Sequence, residues 1–205
     1  SAAKITVADQ VYTGAPLTPE ITVTLGGKQI ADTEYDVDYS GNTDKGTATV
    51  TITGKHNYTG TASETFTISA MDISKCVVSP IASVVYDGTA HSPKVTVKNG
   101  EIVLTEGSDY DVTYSDNVSV TTDSRKAKAT ITGRGNYTGQ CVAEFEITKA
   151  DFADAVITGI PESVEYTGES IVLTGYELTL GDTKLVENQD YVVEYTDNKE
   201  IGTAT

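Results

Sequence analysis

Two histidines, two cysteines and one pair of closely spaced aspartates are the residues of this chain with most scope for chemistry. His56 and His91 stand far apart, and neither sits in a His-Glu-x-x-His arrangement, so no zinc-hydrolase helix is implied. Asp36 and Asp38 have the spacing of a general acid–base pair, but they alternate with Tyr35 and Tyr39. That places them on the outer face of a strand, where carboxylates are ordinarily solvated. Cys76 and Cys141 lack a second cysteine pair or a nearby histidine, which argues against a metal site. Catalysis has no foothold here. No catalytic residue, cofactor or metal is expected.

The 12 tyrosines are the remaining candidates for recognition, in a chain with no tryptophan. Tyr58 and Tyr137 fall near hairpin tips, where an open ring could stack on a sugar. The alternative is that each ring packs on the edge of its own fold and hydrogen-bonds its hydroxyl. Asn57-Tyr58-Thr59, Asn117-Val118-Ser119 and Asn136-Tyr137-Thr138 match glycosylation sequons, though asparagine also serves turns.

The elements that must position these residues repeat three times. Around the middle tyrosines the copies read Glu34-Tyr35-Asp36-Val37-Asp38-Tyr39, Asp109-Tyr110-Asp111-Val112-Thr113-Tyr114 and Asp190-Tyr191-Val192-Val193-Glu194-Tyr195. Upstream lie the turns Tyr12-Thr13-Gly14, Tyr86-Asp87-Gly88 and Tyr166-Thr167-Gly168. A unit of roughly 75 to 80 residues is too long for a solenoid repeat and suits a small all-β domain. Gly46-Thr47-Ala48-Thr49-Val50-Thr51-Ile52-Thr53-Gly54 alternates apolar with threonine, as a half-buried antiparallel strand does. Tyr35, Val37 and Tyr39 share a face, as do Phe66 with Ile68 and Phe145 with Ile147. Asn42, Asn117 and Asn198 follow the middle strand and are expected to end it in a left-handed conformation. No segment has a helical period. Copy two carries four extra residues, placed near Val120-Thr121-Thr122-Asp123-Ser124.

These patterns predict an all-β protein of tandem immunoglobulin-like sandwiches arranged as a rod. The units span residues 1–70, 71–149 and 150–205, the third incomplete at its C-terminal side. The joints Ser69-Ala70-Met71-Asp72 and Thr148-Lys149-Ala150-Asp151 are neither Gly/Ser-rich nor Pro-rich, so stiff end-to-end packing is expected. Copy three reaches Gly202-Thr203-Ala204-Thr205, matching Gly46-Thr47-Ala48-Thr49, with no counterpart of Val50–Ile52 or of the strand bearing Phe66 and Ile68. The expectation is an apolar slot with an unpaired edge, open to a strand exchanged from a neighbouring molecule.

The net charge of −16 argues against nucleic acid and against an anionic membrane surface. The acid concentrates in residues 150–205, with 2 Lys against 12 Asp and Glu, a balance of −10. No segment has the spaced oxygen ligands of a calcium loop. No apolar run approaches a membrane span. No export signal precedes Ser1, and the expectation is that one was cut off or left out, with Ser1-Ala2-Ala3 a residue of cloning.

The succession of Tyr-Thr-Gly, Pro before an alternating strand (Pro19-Glu20-Ile21-Thr22-Val23; Pro93-Lys94-Val95-Thr96-Val97), Asp-Tyr-x-Val-x-Tyr-x-x-Asn, Gly-Thr-Ala-Thr-Val-Thr-Ile-Thr-Gly and Asn-Tyr-Thr-Gly resembles a family. It is similar to the bacterial immunoglobulin-like repeats of Gram-positive surface and secreted proteins. The resemblance implies an extracellular, cell-surface or secreted setting and a stalk, spacer or adhesive role. The implied partners are other domains of the same parent protein and a host or cell-wall glycan or protein. Copy two departs from the pattern, with Asp87 in place of the turn threonine. In such a sandwich the first and last strands run side by side, so Cys76 and Cys141 are expected to form a structural disulfide in an exported protein. A Lys–Asn crosslink of the kind found in some Gram-positive surface domains has candidates in Lys4 and Lys75, but copy three has no such lysine.

The first functional expectation is therefore a non-enzymatic structural or interaction segment. The alternative is a carbohydrate-binding module for a polysaccharide, acting through Tyr58 and Tyr137.

Overall fold

The computed structural model describes residues 2–205. It is all-β: the only helical elements among the described residues are the short 3-10 turns Asp32–Glu34, Ile73–Lys75 and Phe152–Asp154. Among the described residues, no helix is long and apolar enough to cross a membrane.

Residues 3–69 form two facing sheets. Ala3–Val7, Ile21–Leu25 and Lys28–Gln29 make one, and Ile5 lies opposite Val23 in its register. Gln10–Val11, Thr61–Ser69, Gly46–Gly54 and Tyr35–Ser40 make the other in that spatial order. Ala48, Val50 and Ile52 are buried, while the intervening threonines face outward, as the alternation predicts. Ile5 and Val23 meet Val50 and Ile52 in one cluster; Ala48, Phe66 and Ile68 form a second beside it. Val37 departs from the predicted face pattern and is 42 % exposed. Its strand lies at the sheet edge, where one flank has no neighbour to cover it.

Residues 71–148 repeat this plan. Tyr110–Ser115, Ala127–Gly133 and Gln140–Phe145 form a sheet in which Ala127 opposes Phe145, as Ala48 opposes Phe66. Val77–Val78, Val97–Asn99 and Ile102–Val103 form its companion. The extra residues of copy two reverse between Thr122 and Arg125, held by Arg125 Nη2 donating to the Val120 carbonyl at 3.2 Å. A short insertion is thus folded into its own turn rather than transmitted to the core strand.

Residues 150–205 retain only Val156–Thr158, Glu177–Leu180 and Thr183–Lys184 as strands. Tyr191–Tyr195, the counterpart of Tyr35–Tyr39, forms no strand, and only Leu178 and Leu185 of this copy are buried. A strand needs a neighbour on its hydrogen-bonding side, and here the central neighbour amounts to a single pair of bonds between Thr196 and Thr205.

Two side-chain devices recur in all three copies. Tyr39, Tyr114 and Tyr195 each turn a hydroxyl onto a carbonyl of the segment upstream: Pro19 at 2.5 Å, Pro93 at 2.5 Å and Leu173 at 3.4 Å. Asn42, Asn117 and Asn198 donate Nδ2 to the carbonyls of Leu17, His91 and Ile171 at 2.8, 2.7 and 2.9 Å. Each asparagine carbonyl also accepts from the backbone N–H of the same partner, at 2.8 Å in all three. The left-handed residue is the one before each asparagine, Gly41, Asp116 or Asp197, which corrects the sequence expectation. The turn sits one position earlier so that the asparagine can face the strand it clamps.

Candidate functional site

No cluster of catalytic groups is assembled from the residues singled out in the sequence. Asp36 is ion-paired with Lys55 at 2.6 Å, and Arg134 pairs with Asp111 at 2.9 Å at the equivalent place in copy two. These aspartates hold a hairpin to its strand on an exposed face. His56 and His91 lie in different copies, and each faces a carboxylate of its own copy: Glu34 for His56 at 4.0 Å and Asp87 for His91 at 3.3 Å.

The cysteines are both free thiols, half-buried and packed against the same core cluster. The expected Cys76–Cys141 disulfide is absent from the structure. Cys141 does lie in the strand Gln140–Phe145, but Cys76 ends the 3-10 turn Ile73–Lys75 and its N–H bonds back to the Ile73 carbonyl. Cys76 nonetheless lies close to Cys141, on the same core cluster and near enough for the one thiol to act on the other. Burial pushes both thiols above their ordinary range; at Cys76 the neighbouring Cys141 and then the Asp72 carboxylate add to it, and at Cys141 the Asp72 carboxylate does.

Tyr58 is half-buried against the first core, and Tyr137 is 2 % exposed. A stacked sugar needs an open ring face, and Tyr137 has none. Its ring stands edge-on to Tyr12 of the first copy, with centroids 5.5 Å apart at 83°. Its hydroxyl accepts from Asn99 Nδ2 at 3.3 Å.

That contact leads to the feature the sequence did not announce, a joint made twice with equivalent residues. At the first joint, the hairpin tip joining Val97–Asn99 to Ile102–Val103 rests on the turn Tyr12-Thr13-Gly14. Asn99 Nδ2 donates to the Thr13 carbonyl at 3.4 Å, and Ile102 Cδ1 occupies the space a Cβ on Gly14 would need. At the second joint, the tip joining Glu177–Leu180 to Thr183–Lys184 rests on Tyr86-Asp87-Gly88. Thr183 Oγ1 donates to the Asp87 carbonyl at 2.5 Å and lies 2.9 Å from where a Gly88 Cβ would be. Gly14 and Gly88 have φ of +90° and +80°, so each glycine is needed both for its backbone and for the close approach. Asp87 accepts from the Thr89 N–H at 2.8 Å, the same local turn that Thr13 makes with Ala15. Its replacement of threonine therefore leaves the turn intact.

The first joint carries a further clamp. Asn136 Oδ1 accepts from the Lys45 N–H at 2.9 Å, and its Nδ2 donates to Asp44 at 2.8 Å. The Met71 N–H donates to the Asn136 carbonyl at 3.0 Å, and Met71–Asp72 pairs in parallel with Tyr137–Thr138. The connecting segment is thereby stitched into the second copy. Asn136 and Asn117 both have their side-chain amides engaged, which suits turn and clamp roles rather than attachment of a glycan.

Residues 81–151 match the MBG domain family, a β-rich domain found in bacterial surface proteins. No curated protein matches the chain. The matched span covers the turn Tyr86-Asp87-Gly88, the hairpin with Asn99 and Ile102, and the Tyr114 and Asn117 clamps, so both halves of the repeated joint fall within it.

Proposed function

We propose that this chain is a non-enzymatic spacer: three MBG-like units, residues 1–70, 71–149 and 150–205, set end to end in a rod. It would project or separate functional modules of a bacterial cell-surface or secreted protein. The observation that carries the reading is the repeated joint. Gly14 against Ile102 and Gly88 against Thr183 are the same contact made twice. A head-to-tail contact that does not close on itself generates a linear array. The connecting segments contribute backbone hydrogen bonds rather than slack, which supports stiffness. The family matched over residues 81–151 supports the surface setting. Net charge of −16 suits a solvated array whose units repel non-specific association.

Small-angle scattering of the full chain tests the reading. An elongated particle of two to three lobes is expected. A compact particle with the maximum dimension of one globular domain of this mass would sink it. A polysaccharide pull-down in which Tyr58→Ala abolishes binding without changing the melting temperature would instead favour the carbohydrate-binding alternative.

A further inference from the structure

Asn99 and Gly100 are the chain's single Asn-Gly pair, and they stand at the hairpin tip that makes the first joint. An asparagine followed by glycine carries a reaction of its own. The backbone nitrogen of the second residue can attack the side-chain carbonyl carbon of the first, and glycine, with no Cβ, leaves that nitrogen least crowded. Three features of the tip keep the path open. Gly100 is exposed, and nothing lies within 4 Å of the place a Cβ would occupy. Its N–H makes no backbone hydrogen bond among the described residues. The Asn99 amide is held by two long bonds, 3.4 Å to the Thr13 carbonyl and 3.3 Å to the Tyr137 hydroxyl, both beyond the usual range for an N–H donor.

The rest of the chain lacks this combination. Leu25 in copy one and Leu180 in copy three take the place of Asn99. Asn42, Asn57, Asn117, Asn136, Asn188 and Asn198 are each followed by a residue with a Cβ. The second joint holds the acidic counterpart, Asp87-Gly88, but the Asp87 carboxylate accepts from both the N–H and the hydroxyl of Thr89, at 2.8 and 2.7 Å. Those bonds favour its ionised form, and an ionised carboxylate resists attack by a nitrogen nucleophile.

We infer that Asn99 is a site of spontaneous deamidation, and that its conversion loosens the first joint as the protein ages. The Gly100 nitrogen gives up its proton and bonds to Asn99 Cγ, and the side-chain nitrogen leaves as ammonia, closing a five-membered succinimide. Water then opens the ring at either carbonyl to give aspartate or isoaspartate. Nothing is oxidised or reduced, and water is the only co-reactant. Aspartate has no donor for the Thr13 carbonyl and sets a negative charge against it, although the Tyr137 hydroxyl can then donate to the carboxylate. Isoaspartate adds a methylene to the main chain, which breaks the pairing of Asn99 with Ile102 and withdraws Ile102 from Gly14. Either product weakens the hold on Tyr12-Thr13-Gly14. The inference rests on the joint that carries the spacer reading, but not on the overall shape of the particle.

The test ages the full 205-residue chain at mildly alkaline pH. Peptide mapping by mass, with enzymatic methylation of isoaspartate, reads the chemistry. Residue-resolved amide exchange reads the joint at Lys45, whose N–H is bonded across it to Asn136, with Val50 in the core strand as the reference. Asn99 is expected to convert several times faster than any other asparagine, and faster as pH rises, while Asp87-Gly88 stays unchanged. Exchange at Lys45 should quicken in step with conversion, and exchange at Val50 should not. Gly100→Ala should slow the conversion. Because that alanine meets φ +57°, Asn99→Gln, whose ring closure needs one more atom, is a second block. Both variants should age without further quickening at Lys45, and Asn99→Asp should show the loosened joint from the start. An aged chain with Asn99 intact would overturn the inference, as would conversion that leaves exchange at Lys45 unchanged. A compact scattering profile of the fresh chain would overturn the spacer reading alone, since mass and exchange are read independently of shape.

Discussion

Tyr12 and Tyr137 belong to different copies of the repeat, yet their rings meet edge to face, 5.5 Å apart at 83°. One ring thus serves two purposes, since Tyr137 also belongs to the buried cluster of its own copy. Tyr137→Ala should cost about 3–5 kcal/mol of the stability of copy two, as loss of a buried aromatic does. Tyr137→Phe should cost about 1 kcal/mol, the worth of the hydrogen bond from Asn99. Urea unfolding followed by tyrosine fluorescence measures both. Equal, small effects of the two changes would show that the ring is not part of the core.

The part of this arrangement legible in the sequence was the part carried within one copy. Alternation placed Ala48, Val50 and Ile52 on the buried face, and the recurrence of Tyr39, Tyr114 and Tyr195 marked a shared position. The joint was not legible, because Asn99 and Thr13 are paired only by how one copy is set on the next. A signal did exist: the glycine of each Tyr-x-Gly turn and the hairpin tips Gly100-Glu101 and Gly181-Asp182 hold constant places in the repeat. Nothing in one strand's periodicity shows that those two places meet. Cys76 was misplaced for a related reason. An Asp72 side chain that accepts from Ser74 N–H sets up the 3-10 turn Ile73–Lys75, so the first strand begins at Val77, one residue past Cys76, because short-range capping competes with extended structure.

The joint can be tested without disturbing either core. Gly14→Ala adds a methyl where Ile102 sits and also places an L-residue at φ +90°. Gly168→Ala in copy three meets the same backbone strain at φ +81° with nothing within 4 Å of the new methyl. Strain alone costs roughly 1–2 kcal/mol. Gly14→Ala should therefore lower stability more than Gly168→Ala, and scattering should show a more flexible particle only for Gly14→Ala. Gly14→Ala combined with Ile102→Ala should restore the wild-type scattering profile. Identical profiles for the two single variants would show that the contact does not hold the joint.

Thiol labelling checks the free state of Cys76 and Cys141. The denatured, unreduced protein should show two reactive thiols, and zero would establish the bond that the structure lacks. In the native state alkylation should be slow, because burial raises both thiols and leaves less thiolate at neutral pH. Rapid native-state labelling at pH 7 would contradict that environment.

Alkaline pH should destabilise the fold through its buried phenols. Burial is the largest cause raising Tyr35, Tyr39, Tyr110, Tyr114 and Tyr137 above the ordinary value of 10.0. The unfolded chain therefore releases these protons first. Stability from these groups is complete below pH 10 and is lost as pH rises from there through the higher values of the folded state. The urea midpoint should be steady between pH 8 and 9 and fall at pH 11. Tyr114→Phe, which removes one such proton and its bond to the Pro93 carbonyl, should weaken that fall. An unchanged midpoint at pH 11 would mean that the phenols titrate alike in both states.

The asparagine clamp makes the most discriminating prediction, because its chemistry depends on a single donor. Asn117 Nδ2 donates to the His91 carbonyl at 2.7 Å, while the Asn117 carbonyl accepts from the His91 N–H at 2.8 Å. Asn117→Ala removes the side-chain bond and leaves the backbone one, at a cost of about 1–3 kcal/mol if the carbonyl stays away from water. Asn117→Asp keeps the shape but has no donor when ionised, and it sets a negative charge against the carbonyl oxygen. Aspartate should therefore be worse than alanine at neutral pH. The gap should narrow as pH falls below about 4, where a protonated carboxyl can donate again. If aspartate were as stable as asparagine at pH 7, the clamp would rest on the backbone pair alone and the side chain would be incidental. The same ordering is expected at Asn42 against the Leu17 carbonyl. It should be weaker at Asn198, whose partner Ile171 lines an open cleft of the third copy, where water can replace the lost bond.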